Sequence, residues 1–349
     1  MVDWSLARRV AGLAGASQGP KDVGIDVGAT AARLEPEVVR FTGIDTGGVA
    51  PPAELVDRAE WAEANLTTLS GLLEPVTGRL SDRLAGAGPI AGPLRMVTGS
   101  TIAAEVGLVM GYMSQRVLGQ YELSLIQPDG PTRLLFVAPN LAKAVEDMDL
   151  DRTAFIDWIV LHELTHVVQF TGVPWLRDHL AGLLREYLGT VEVQIQAGGA
   201  GGIPSMPNLP ELVERFRDGG LMALIQSREQ RELMDRLQPA MAVIEGYSEY
   251  VMDALGANLV PGHERLRAAM DRRRQSRSAP ERLLQKLLGL DLKLRQYEQG
   301  KRFCDGVAAA GGIGTLNRVW RSPDDLPTPA ELDDPDAWVA RTALVTAGT

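Results

Sequence analysis

A mainly α-helical protein with one small β element follows from three features of the sequence. Apolar residues recur at helical spacing through most of the 349 residues, β-prone alternation is confined to 121–138, and Gly and Pro cluster chiefly in two stretches, 19–52 and 196–210.

Trp4 to Ala14 reads as a short amphipathic helix, and the Gly/Pro-punctuated stretch from Gly19 to Pro52 reads as irregular. Within it, Val23 to Thr30 resembles a sugar-kinase phosphate loop, but no partner loop follows, so nucleotide binding is not assigned. Helical patterns cover Ala53 to Leu84 and Thr101 to Leu118. Tyr121 to Gln127 and Arg133 to Ala138 are strands, joined through Pro128-Asp129-Gly130-Pro131 as a hairpin. Phe155 to Phe170 is apolar around almost its whole circumference and is expected to be a helix enclosed by protein. Asp151 or Thr153 can cap it, and Gly172 with Pro174 ends it. Pro174 to Leu188 is helical, and Gln196 to Pro210 is a loop that divides one catalytic domain, 1–349, into lobes 1–195 and 205–349. The second lobe reads as helices at Glu211–Ile225, Arg228–Leu255 with a break at Pro239, Pro261–Arg274, Glu281–Phe303 and Asp336–Ala347.

The chemistry lies in Leu161-His162-Glu163-Leu164-Thr165-His166. Four residues of helical separation stack the two imidazoles on one face, where both can ligate one Zn²⁺. Glu163, beside the first, can reach a metal-activated water as general base. Only four His occur in the chain, so two of them bracketing Glu163 at this spacing mark a metallohydrolase of the HExxH type. Position 172 is Gly and no His follows until His179, so the third ligand is not the extended HExxHxxGxxH kind. Glu245, Glu249 and Asp253 share one helix face downstream, and stacked carboxylates repel unless a cation neutralises them. With Glu245 on the metal, Gly246 would let the two active-site helices approach, and Glu249 could accept the free N–H of a ligand His; Glu249 remains an alternative ligand. His179, Tyr247 and Tyr250 are candidate transition-state stabilisers.

The segment Glu245-Gly246-Tyr247-Ser248-Glu249-Tyr250 resembles the glutamate-ligand segment of gluzincin aminopeptidases and the thermolysin-type pair of ligand and orienting carboxylate. That resemblance implies Glu245 as ligand and Glu249 as orienter, with a longer gap from His166 and Glu in place of Asp at 249. The opening Val2 to Ala7, the run Met113 to Tyr121, the block His162 to His179 and Glu245 to Asp253 resemble a mostly actinobacterial family of zincin-like hydrolases, which is associated with deazaflavin coenzyme biosynthesis. It implies a mostly helical, zincin-like domain. In such proteins a small sheet ahead of the metal helix lines the cleft, and its edge strand can pair with an extended peptide.

Composition bounds the partners. A formal net charge of −10 argues against nucleic acid or an anionic membrane as the main partner, and Arg272, Arg273, Arg274 and Arg277 form a basic cluster with no interleaved aromatic residue. The single Cys304 fits a reducing compartment, and the N-terminus lacks a signal-peptide core, so a cytoplasmic location is expected. The function expected is cleavage of a peptide or amide substrate by a zinc-activated water with Glu163 as base. Two other readings are a zinc-stabilised helical interaction module without activity, and hydrolysis of a non-peptide amide in coenzyme metabolism.

Overall fold

The computed structural model describes residues 2–15, 22–48, 51–85, 91–122, 132–197, 228–275 and 290–347. The β-prone residues form a three-stranded sheet of order β1-β3-β2, built from β1 (Ala53–Val56), β2 (Gly119–Glu122) and β3 (Arg133–Val137). Central β3 buries Leu134 to Val137 completely, which explains an apolar run without alternation. β2 lies antiparallel to it, pairing Tyr121 with Leu134, and β1 lies parallel, pairing Leu55 with Phe136.

β1 replaces the start of a helix expected from Ala53. Ala-Glu-Leu-Val is too short for its period to separate strand from helix. The helix begins only at Arg58, where Asp57 and Glu60 form a capping box. Asp57 Oδ1 accepts the Ala59 and Glu60 amides at 2.9 Å, and Glu60 Oε2 accepts the Asp57 amide at 2.7 Å.

The remaining framework is helical: α1 (Trp4–Gly15), α2 (Val27–Thr42), α3 (Arg58–Ala85), α4 (Ala91–Ser114), α5 (Ala138–Met148), α6 (Arg152–Gly172), α7 (Leu176–Ala197), α8 (Arg228–Leu259), α9 (His263–Gln275), α10 (Leu290–Leu316) and α11 (Pro335–Ala347). α2 occupies a stretch expected to be irregular. Asp26 caps it by accepting the Ala29 amide at 2.9 Å, so the phosphate-loop-like residues are a helix start. α8 runs through Pro239 as one helix. The hairpin connection at 128–131, the linker at 198–210 and the helix expected at 211–225 lie outside the described residues.

Contacts group the chain into two compact units, residues 1–36 with 49–164, and 37–48 with 165–349. The core of the first gathers Ala7 and Ala11 of α1, Trp61, Ala62 and Leu66 of α3, Ala103 of α4, and Leu135 and Val137 of β3. The second centres on aromatic pairs. Phe303 meets Trp338 edge-on at 5.4 Å, and the Trp338 indole donates to the Asp325 carbonyl at 2.7 Å. Among the described residues no helix is long and apolar enough to cross a membrane.

Candidate metal centre

α6 mounts the site. Asp151 caps it through the Ala154 amide at 2.8 Å, and Phe155, Ile156, Trp158, Val160, Leu161, Leu164, Val167 and Val168 are buried around it. Asp157, 5 % exposed, is neutralised by Arg33 at 2.6 Å. A helix held on so many sides keeps its functional side chains in place.

Glu163 is 6 % exposed, and its Oε2 accepts the Tyr121 amide of β2 at 3.0 Å. Val137 donates to the Leu118 carbonyl, and bonded and non-bonded pairs alternate along an antiparallel ladder, so the Tyr121 amide faces away from β3. The outward amide that a paired peptide would use is therefore taken by the carboxylate. Gly119 makes this possible. A Cβ there would lie 2.8 Å from Glu163 Cγ and 2.9 Å from Oε1, so any larger residue would push the carboxylate away.

His162 and His166 stand one turn apart on α6, and α8 brings Glu245 beside them. Their ligating atoms all lie within 4.8 Å of one another. His166 Nε2 and Glu245 Oε2 are 3.5 Å apart, with both side chains 12 % exposed. Donors around one tetrahedral zinc at ordinary bond lengths sit ~3.3 Å apart, so two imidazoles and this carboxylate fit such an ion. On its far side, His166 Nδ1 lies 2.9 Å from Gln169 Oε1 and 3.2 Å from Ser248 Oγ.

A family described as zincin-like metallopeptidase matches residues 2–339. The chain belongs to the zincin-like metallopeptidases. It is also similar, at 30 % identity and a TM-score of 0.69, to a candidate hydrolase with a novel fold from Chloroflexus aurantiacus, known from its crystal structure; the match covers 98 % of this chain and 99 % of that one. No curated protein matches the chain significantly.

In this zincin-like chain the other expected site residues sit in different surroundings. Glu249 is buried at 5 % exposure, one turn beyond Glu245. Asp253 belongs to another cluster: it pairs with Arg267 and with Lys301 at 3.1 Å, and lies 3.5 Å from His263 Nε2. Gly246 faces α10 rather than α6, since a Cβ on it would collide with the Gly300 backbone. Tyr247 is fully buried; its hydroxyl donates to Asn317 Oδ1 at 2.8 Å and its ring meets Trp320 edge-on at 5.3 Å. Asn317 in turn donates to the Thr42 carbonyl at 2.7 Å. Burial pushes the Tyr247 phenol well above its ordinary range. Tyr250 meets Phe41 at a tilt with ring centroids 6.1 Å apart, and burial, with Asp305 adding to it, raises its pKa. His179 meets Trp175 edge-on at 5.7 Å, and its pKa is lowered by burial and then by Arg236. Cys304 is completely buried, and desolvation pushes its thiol far up, which leaves it unreactive.

Three contributors were not readable as site residues: Gly119, Gln169 and Ser248. Gly119 and Tyr121 sit in a run whose strand character was visible, but the contact to Glu163 spans 42 positions. Gln169 stands three residues after His166 on the same helix, a spacing that brings side chains together and could have singled it out.

Proposed function

We propose that this protein is a zinc-dependent hydrolase of peptide or other amide bonds, with His162, His166 and Glu245 as ligands and Glu163 as general base. The observation that carries it is the convergence of two imidazoles and one carboxylate, with the Glu163 carboxylate mounted next to them on α6. Zinc held there would polarise the scissile carbonyl and acidify the attacking water.

Each residue has a separate task in this reading. Glu163 keeps Oε2 on the Tyr121 amide, which fixes the carboxylate, and presents Oε1 to the water proton. It takes that proton during attack and passes it to the leaving nitrogen. Glu249, buried one turn beyond Glu245, is the carboxylate assigned to orient a ligand imidazole. The formal charge of −10 suits a neutral or cationic substrate better than a polyanion.

The test joins metal analysis to digestion of a peptide library and a panel of small amides. One equivalent of zinc, and turnover reduced by about 10²–10⁴-fold in Glu163→Gln with zinc retained, is the expected result. Cleavage of small amides with peptides left intact would assign the coenzyme-type substrate. Retained zinc with no hydrolysis of either class would reject the enzyme reading and leave a zinc-braced interaction module.

A further inference from the structure

The partners of the Gln169 side chain decide which nitrogen of His166 carries a hydrogen. The Ile244 carbonyl can only accept, so the Gln169 atom 2.9 Å from it is the amide nitrogen, donating. The opposite end is then the amide oxygen, and it lies 2.9 Å from His166 Nδ1. Two acceptors at that distance repel, so Nδ1 bears the hydrogen. Ser248 Oγ completes the cluster, 3.2 Å from Nδ1, 3.3 Å from Gln169 Oε1 and 3.0 Å from the Ile244 carbonyl. Gln169 and Ser248 are both 0 % exposed, so bulk water does not compete for these bonds. On the neutral ring the lone pair is thereby left on Nε2, the nitrogen that faces Glu245.

We propose that Gln169, supported by Ser248, is the positioning residue of the metal centre. It transmits the polarity of one backbone carbonyl through its amide to fix the tautomer and ring orientation of His166. The same amide ties the second half of α6 to the turn of α8 that carries Glu245. Carboxylates and backbone carbonyls are the commoner partners of ligand imidazoles. A neutral amide here does the positioning without burying a further charge, and it draws less on the Nδ1 proton than a carboxylate would.

Two measurements test this independently. Long-range nitrogen–proton NMR of the zinc-free wild-type protein at about pH 8, above the ordinary His range, reads the tautomer directly. A neutral ring with its hydrogen on Nδ1 is expected; hydrogen on Nε2, alone or together with Nδ1, overturns the proposal. Zinc affinity by chelator competition is the second readout. The double variant Gln169→Met and Ser248→Ala keeps the volume but removes the polar partners, and it is expected to bind zinc about 10–100-fold more weakly with its helical circular dichroism retained. Affinity unchanged in a folded double variant also overturns the proposal. The affinity arm rests on the zinc reading above, whereas the tautomer arm does not. Wild-type protein that takes up no zinc would sink the zinc reading and leave NMR to decide this one.

Discussion

Glu163 and Gly119 are separated by 44 positions yet pack as one unit, because the missing side chain of one makes room for the carboxylate of the other. Replacing Gly119 by Ala would shift Glu163 by a few tenths of an ångström or more without touching a ligand. Turnover is expected to fall by up to about 10²-fold, the cost of misplacing a catalytic group, while zinc content stays at the wild-type level. Loss of zinc along with activity would mean that Gly119 supports the fold rather than the base. Tyr247 offers the opposite case. Its hydroxyl is committed to Asn317, so Tyr247→Phe should cost about 1–3 kcal/mol in a denaturant melt and leave kcat unchanged. A large fall in kcat at unchanged stability would assign it as a transition-state donor.

The contact between α8 and α10 depends on backbone approaching backbone at Gly246 and Gly300. Gly246→Ala forces the helices apart next to Glu245, so a loss of about 1–3 kcal/mol in thermal or denaturant unfolding is expected, together with weaker zinc binding. Unaltered stability would show that the pair tolerates a methyl group. The dipeptide Glu245-Gly246 was conspicuous in the sequence, but the neighbour of Gly246 was not legible there, since helix periodicity tells which face is buried and not which helix covers it. The same limit applies to Asp253. Its spacing from Glu245 and Glu249 suggested a shared metal, whereas Arg267 and Lys301, from two other helices, supply the countercharge. Long helices such as α6 and α8 were readable because many successive residues agree, α6 through an unbroken apolar run and α8 through helical spacing of its apolar residues. β1 was not, because four residues carry no period and its pairing depends on β3, more than seventy positions away.

Across the chain, apolar spacing made a mostly helical protein legible, and five consecutive residues made the candidate metal site legible. If zinc binds the native state alone, removing it with a chelator should lower the melting temperature, and adding it back should restore it. The stabilisation is about 2.7 kcal/mol when free zinc is 100-fold above its dissociation constant. A melting temperature indifferent to chelator and zinc would mean that the native state does not hold the ion. The bond between Glu163 and the Tyr121 amide has one more consequence. A backbone-mimicking ligand laid along β2 would have to evict Glu163 to reach that amide, so under the proposed mechanism its binding would remove the base whether or not it touched a metal. The Tyr121 amide hydrogen is thus a built-in reporter: its deuterium exchange should accelerate in Glu163→Ala and track how often the carboxylate lets go in the resting protein.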